Sequence, residues 1–550
     1  MKAYIKLLFL SGVCAGLGSC TDLDTDIDTQ YTQLPDNDII VNSQLEGCYY
    51  YMRNEAGLGR NYWEGVMLQG DELMGISFGG GWFDNGRAVY PSQHKLNPDI
   101  PGVGIMGDLM SGMTYCNTVI ANLGGPNLDD PLVAPVRAAR AFYQFMLMDL
   151  YGDVPMLGST ECLDADGATV RNKRGDVARW LETELLAIIP DLTEANNVDT
   201  YGRPNKWMAE ALLAKLYINW PVYTAEDIET YNPSAANEKL NDCIAICDDI
   251  IKSGIFSVGK GYRKKFMSDN GVHITDFIYA MPFDPATLGA NYGGGSEMDR
   301  FMAFCKANGT EPTGPLGFVY SKSTGGNWIL VPEAIDRFNL KGDERNEMIL
   351  VGPQYVRDAN CDKTSTPLMY KGAQIDYSKT IKDEEWLNKD LFDVGSNGDA
   401  ANCIKGAHLL KYPSVQDDYD KWSRKQSNDL PIFRYADILL TKAEAIARGG
   451  NATNGATVAG LINEVRDCSG AEHISGTPSL QDILDERGRE FICEMWRRND
   501  LIRYGQFEND WGYKHDVNPS AKTELWRRLL PIPTGVMDTN TNWTQNKGYN

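Results

Sequence analysis

The sequence predicts a mainly α protein in which a helical scaffold supports a loop-rich variable subdomain. Three observations predict it. Apolar residues recur at helical spacing through much of the first half and again beyond residue 430. Between residues 255 and 430 those stripes become rare and Gly, Pro, Asn and Asp become frequent, as in Leu288-Gly-Ala-Asn-Tyr-Gly-Gly-Gly-Ser296 and Ser323-Thr-Gly-Gly-Asn-Trp328. The first twenty residues have the composition of a targeting segment, which stands outside the fold.

That segment comes first in the chain. Lys2 and Lys6 form a basic start, Leu7–Leu17 a short apolar run, and Leu17-Gly-Ser-Cys20 places a cysteine after small residues. A Leu-small-small-Cys ending resembles the lipobox of bacterial lipoproteins, so residues 1–19 read as a signal peptide and Cys20 as the lipidated residue. Residues 20–37 read as an acidic tether, with Asp22, Asp24, Asp26 and Asp28 at alternate positions. Residues 38–254 are expected to form a helical scaffold with a ligand-loop insertion near 71–105, residues 255–430 the variable subdomain, and residues 431–550 a C-terminal helical scaffold and closing segment. No later stretch reaches the ~18 apolar residues of a membrane span.

Within the scaffold, Pro135 opens a helix carrying Ala138, Ala141, Phe142, Phe145 and Met148, and Gly152 ends it. Trp207, Ala211, Ala214 and Ile218 form a second stripe, bracketed by Pro204 and Pro221. Residues 171–189 and 237–252 read as helices too. Ala436, Leu439, Leu440, Ala443 and Ala447 make another, closed by Gly449-Gly450, and 455–467 and 479–504 follow. Helix–turn–helix units with small residues in their stripes are similar to tetratricopeptide arrays, although no clean 34-residue repeat is visible.

Lys+Arg 52 against Asp+Glu 75 gives a net charge of −23, which argues against a nucleic-acid partner. Of the 12 cysteines none forms a C-x-x-C pair, and Cys243 and Cys247 read as buried apolar residues of a helix. The five histidines show no ligand spacing, so no zinc site and no cofactor are expected. An Asp-rich surface leaves a structural calcium ion open.

Three motifs invite a catalytic or cofactor reading. Gly75-Ile-Ser-Phe-Gly79 spells the G-x-S-x-G nucleophile elbow, which would make Ser77 a hydrolase nucleophile. An elbow needs a helix after it, and Gly80-Gly81 and the Asp84-Asn85-Gly86 turn follow instead. Gly102-Val-Gly-Ile-Met-Gly107 spells G-x-G-x-x-G but follows a Pro-containing loop, so it reads as the lead-in to a helix of about 108–122. Glu486, Glu490 and Glu494, expected on one helix face with Arg489 and Arg497, read as a salt-bridged structural seam and not as paired acid–base carboxylates; Arg137, Arg140 and Arg434 are read likewise.

Several blocks carry a family resemblance. They are Arg137-Ala-Ala-Arg-Ala-Phe-Tyr through Tyr151-Gly-Asp-Val-Pro155, Lys206-Trp through Leu213-Ala-Lys-Leu-Tyr217, and Phe433-Arg-Tyr-Ala-Asp-Ile-Leu-Leu through Ala443-Glu-Ala445. Leu461-Ile-Asn-Glu-Val-Arg466, Glu486-Arg-Gly-Arg-Glu490 with Asp500-Leu-Ile-Arg-Tyr-Gly505, Leu530-Pro-Ile-Pro533 and Gln545-Asn-Lys-Gly-Tyr549 follow in order. Together they resemble the SusD/RagB family of nutrient-binding outer-membrane lipoproteins. The resemblance implies a SusD-like fold with tetratricopeptide-like helix pairs. It implies a surface lipoprotein, anchored by Cys20, that captures an oligosaccharide and passes it to a SusC-like TonB-dependent transporter without catalysis. Binding of peptides or other nutrients is the alternative within the family.

Sugars offer C–H faces to aromatic rings and hydroxyls to planar polar groups. Residues 71–90 hold both kinds, in Asp71, Trp82, Phe83, Asn85, Arg87 and Tyr90, with Glu72 and Asp84 beside them. Asn291 and Tyr292, and Asn327 and Trp328, form two further loop clusters. The resemblance implies a ligand site built from loops in about these regions. Trp82 and Trp328 are its foremost candidates.

Overall fold

The structure, a computed structural model, describes residues 38–53, 60–79, 81–123, 132–158, 162–164, 166–284, 312–319, 325–396, 399–422 and 425–549. The chain divides into two compact units, residues 1–46 and 47–550. The described part of the first is the beginning of helix α1 (Asp38–Arg53), which runs on into the second.

The second unit is built on a sequential array of helices. Helix α2 (Arg60–Gly65) precedes it. Then α3 (Ile105–Leu123) packs on α4 (Ala134–Tyr151), α4 on α5 (Arg174–Ile188), α5 on α6 (Lys206–Ile218) and α6 on α7 (Leu240–Lys252). Helix α7 packs on α8 (Tyr435–Ala447), which also receives α9 (Val458–Ser469) and α10 (Leu480–Glu490). Each helix finding its partner in the next is the architecture of a tetratricopeptide-like stack. No described helix is long and apolar enough to cross a membrane.

The proline and glycine signals bound these helices as expected. Pro135 lies in the first turn of α4, and Gly152, at φ +77°, ends it with its N–H on the Met148 carbonyl. A side chain there would also meet Leu529, its Cβ only 2.7 Å from Cδ1. Asn205 caps α6, its side chain accepting from the Met208 N–H at 3.0 Å. The stripe in α4 understates its burial: every residue but Pro135 and Asp149 is buried. Its arginines are accommodated because Arg137 and Arg140 both donate to Glu184 of α5, at 2.8 Å. Cys243 and Cys247 are buried in α7 with free thiols, and Cys403 is disulfide-bonded.

Residues 255–430 carry mostly short strands and 3-10 turns. Their excursion starts and ends at one place. Strand Phe277–Met281 pairs antiparallel with Leu430–Arg434, which feeds directly into α8. Farther out, 355–357 pairs with 363–367 and 369–370 with 373–374 as small hairpins.

One predicted helix is interrupted. Residues 479–504 form α10 and then α11 (Arg497–Arg503), with turns between them and Cys493 at φ +57°. Glu494 therefore leaves the helix face it was expected to share with Glu486 and Glu490. Buried side chains hold the break open. Lys411 Nζ donates to the Ile492 carbonyl at 2.8 Å and to Glu494 at 2.6 Å. Arg434 donates to the Glu490 carbonyl at 2.8 Å, and the Cys493 N–H is taken by Glu72 at 3.0 Å. Helix bonds lost at the break are replaced by side-chain bonds, which is what keeps buried backbone groups satisfied.

The structural reading of the glutamates holds on geometry. Arg345 is fully buried and reaches Asp343, Glu486 and Glu490 at 2.8–2.9 Å. Arg434 reaches Asp276 and Glu490 at 2.6 Å and Glu494 at 2.9 Å. Arg487 and Arg503 share Asp500, and Arg503 also takes Glu444. Burial pushes Glu486 upward, but Arg345 and its neighbours outweigh this and hold it at about 2.

Candidate ligand-binding site

The site candidates are positioned by a strand pair. Strand β1 (Leu73–Gly75) runs antiparallel to β2 (Trp328–Leu330), with Leu73 opposite Leu330 and Gly75 opposite Trp328. Two of the three predicted clusters, 250 positions apart in sequence, are thereby brought together. The backbone contact continues to Ile76, whose N–H donates to the Asn327 carbonyl at 2.8 Å. Gly75 is required here, since a Cβ would stand 2.6 Å from atoms of Ala88.

A third segment, Trp386–Ser396, completes the support. Ser77 N–H donates to the Phe392 carbonyl at 2.9 Å and Val394 N–H returns to the Ser77 carbonyl at 3.1 Å. The Asp393 carboxylate receives the N–H groups of Gly79 and Gly395, at 2.7 and 2.8 Å. Trp386 packs on Phe392 and meets Tyr513 edge-on. Sequence reasoning missed this segment because the contacts that join it to residues 77–79 and 513 are long-range. A lone tryptophan in a charged stretch was the only local signal.

From this base a tight turn projects outward. Phe78 and Gly81 exchange backbone bonds of 2.9 and 2.8 Å, and Gly79 and Gly81 are exposed. Trp82, Asp84 and Asn85 then lie at φ +62°, +43° and +57°. A left-handed conformation costs roughly 1–2 kcal/mol for a side chain like that of tryptophan. Phe83 meets Tyr90 edge-on at 5.4 Å, and Gly86 lies against the Tyr90 ring, where a Cβ would overlap it. Trp82, Phe83 and Tyr90 are half-buried, and Asp84 and Asn85 are exposed. The result is an aromatic ridge with a polar fringe.

The other candidates lie elsewhere. Trp328 is fully buried, with Asn327 3% exposed beside it, so both belong to the core under the loop and present no face outward. Pairing with β1 is the cause. Asp71 is engaged by Arg497 at 2.6 and 2.7 Å and by Arg337 at 2.6 Å. Burial alone would raise it, but the two guanidinium groups hold its carboxyl below the usual range. Arg87 donates to Glu64 and Asn61, which pins the turn to α2. Neighbouring Glu72, buried and farther from the arginines, is pushed up by burial to about 8. Asn291 and Tyr292 lie outside the described residues.

Ser77 is 1% exposed, and its Oγ donates to the Leu391 carbonyl at 3.0 Å. It sits between two backbone segments and not at a strand-to-helix turn. The G-x-G-x-x-G stretch is a 3-10 turn, Pro101–Gly104, leading into α3, and Gly102 is there to let the chain pass against the backbone of Gly65. Among the described residues no group of three His, Cys, Asp or Glu is placed to hold a metal ion.

Comparison with known proteins places this architecture. The model of the SusD family matches residues 320–549. The starch-binding protein SusD of Bacteroides thetaiotaomicron is 24% identical over 485 residues, covering 83% of this chain and 77% of that protein. Surface glycan-binding protein A from Bacteroides thetaiotaomicron, solved with laminarihexaose, matches with TM-score 0.66 at 20% identity, over 92% of this chain and 99% of the other. Surface glycan-binding protein A from Bacteroides uniformis matches with TM-score 0.65 at 18% identity, over 93% and 99%. The fold class is therefore that of the SusD-like helical arrays. Residues 320–549 match the SusD family model, and the chain is similar in fold to SusD-like proteins.

Proposed function

We propose that the protein is a non-catalytic, cell-surface glycan-binding lipoprotein that captures an oligosaccharide and delivers it to a SusC-like TonB-dependent transporter. The observation that carries this reading is the ridge at residues 82–90. Three half-buried aromatic rings stand beside exposed Asp84 and Asn85, on backbone held in left-handed conformations. Strain of this kind persists where surrounding structure over-determines it, and it gathers at ligand sites. Relatives named for starch and glycan binding supply the ligand class. The helices of 38–254 and 431–550 serve as scaffold and 255–430 as the variable part. Cys20, which lies outside the described residues, carries the lipid.

Isothermal titration against a panel of neutral polysaccharides tests the binding role, with Trp82→Ala and Phe83→Ala as site variants. Wild type is expected to bind at least one glycan, and both variants to lose about tenfold or more in affinity. Binding of peptides with no glycan bound overturns the ligand class, and unchanged affinity in both variants overturns the site. Co-purification with a TonB-dependent barrel from the cell's outer membrane tests the transporter, and globomycin-sensitive processing tests the anchor at Cys20.

A further inference from the structure

A second feature on the scaffold has the properties of a built site. A cleft of about 990 Å³ opens where α4 ends and α5 begins, walled by residues 224–230 and by 526–547. It adjoins a hollow of about 290 Å³ with which it shares Thr224, Ala225 and Thr230. None of the ridge residues lines either one.

The cleft is lined by five cationic and five acidic residues, but they are not all paired with one another. Lys173, Arg179 and Lys547 each have a carboxylate partner, in Asp153, Asp176 and Glu229. Arg171 and Arg174 have none within 4 Å. Arg171 spends its donors on neutral oxygens: the Asp153 carbonyl, the Thr544 carbonyl and the Asn546 amide. Arg174, only 5% exposed, donates Nε to the Tyr223 carbonyl at 3.2 Å, and its guanidinium forms no other bond among the described residues. Burial lowers the pKa of both arginines, since nearby carboxylates fail to offset it. Glu226 and Asp227 are exposed, and Asp227 is turned toward the N–H of Glu229.

The arginines of the seam are treated differently: Arg345, Arg434, Arg487 and Arg503 are at least as buried as Arg174, and each is bonded to at least two carboxylates. Arg498, 2% exposed, resembles Arg174 in having no carboxylate partner among the described residues, but two of its donors are met inside the core by Gln69 and the Arg528 carbonyl, whereas Arg174 lines an open cleft. A buried cation without an anion is costly, and a guanidinium fork matches a planar carboxylate. Helix α5 starts at Arg174, whose backbone N–H is taken by the Asp153 carboxylate at 2.9 Å, so the recognition of an anion there falls to the guanidinium groups and not to the helix start. Thr224, Thr230 and Thr544 also line the cleft.

We infer that this cleft is a second ligand site, selective for a saccharide bearing a carboxylate, with Arg171 and Arg174 as the anion-recognising pair. The choice of a saccharide rests on the proposed glycan role; the choice of a carboxylate rests on the arginines. Selectivity for an acid is notable on a chain of net charge −23, whose overall field opposes anions.

Titration calorimetry with an oligogalacturonate and with its methyl-esterified form tests the inference. The ester keeps the sugar chain and removes the charge. Wild type is expected to bind the acid about tenfold or more tightly than the ester. Arg171→Gln and Arg174→Gln should erase that preference, and Trp82→Ala should leave it intact. If Arg174→Gln fails to fold by its melting curve, Arg171→Gln and the charge-conserving Arg174→Lys carry the test, the latter keeping part of the preference. Equal binding of acid and ester, no binding of the acid, or an acid preference that survives loss of both arginines overturns the site. Loss of acid binding in Trp82→Ala would move the ligand to the ridge and overturn it as well. Neutral-glycan binding is scored separately, so failure of the ridge reading and of the cleft are distinguishable.

Discussion

The seam at α10 and the ridge at 82–90 both place polar groups among apolar ones, and they do so in opposite ways. In the seam, Arg345 and Arg434 are buried and their carboxylate partners surround them. In the ridge, rings are left half-exposed, Asp84 and Asn85 face solvent, and three side-chain-bearing residues sit at positive φ. One region pairs its buried charges; the other keeps backbone strain and partly uncovered apolar surface. On the proposed reading, stability concentrates in the first and binding in the second. That division can be broken experimentally from either side.

The largest effect is expected in the seam. Arg434→Ala leaves Asp276, Glu490 and Glu494 facing one another without their shared cation, and frees the Glu490 carbonyl that Arg434 caps. Removing one partner of a buried network costs about 3–5 kcal/mol. Denaturant unfolding should show that loss. A change below ~1 kcal/mol would mean that the seam is not where stability lies.

Trp328→Ala sharpens the contrast between two tryptophans once read as equivalent. Trp328 is fully buried opposite Gly75, so its truncation should cost about 3–5 kcal/mol, while the folded variant keeps its glycan affinity. The sequence could not separate Trp82 from Trp328, because the strand pair that buries the second joins residues 73–75 to 328–330 and leaves no local trace. Helices were legible where the information is local. Pro135 and Gly152 bound α4, and the stripe at Trp207–Ile218 marks α6. The break after Glu490 was not, because Lys411, Arg434 and Glu72 hold it from far along the chain. The same holds for Asp71, whose polar character was visible and whose two arginine partners were not.

A smaller effect is expected where the two regions meet. Burial raises Glu72 from 4.5 to about 8, and its carboxyl accepts from the Cys493 N–H at the helix break. A carboxyl with a raised folded-state pKa favours the fold in its neutral form. That contribution is complete below about pH 4.5 and is lost as pH climbs through about 8. Unfolding measured from pH 5 to 9 should therefore show wild type weakening toward alkaline pH. Glu72→Gln should remove on the order of 2–4 kcal/mol of that decline. An identical pH profile in the variant would place the titration elsewhere, with Glu210 and Asp429, both raised by burial to about 7, as the groups to examine next.

The smallest stability effect, and the most informative, belongs to Trp82→Gly. At φ +62° a tryptophan pays the left-handed penalty and glycine does not, so the substitution removes roughly 1–2 kcal/mol of strain. Loss of the half-buried indole and the added freedom of the unfolded chain work against this. The net change should lie within about 1 kcal/mol of zero by thermal unfolding. Glycan affinity, in contrast, should fall as far as in Trp82→Ala. A neutral or stabilised variant that no longer binds would show that the chain holds Trp82 in a costly conformation for its ligand. A variant destabilised by several kcal/mol would make Trp82 a structural residue like Trp328 and dissolve the distinction between ridge and seam.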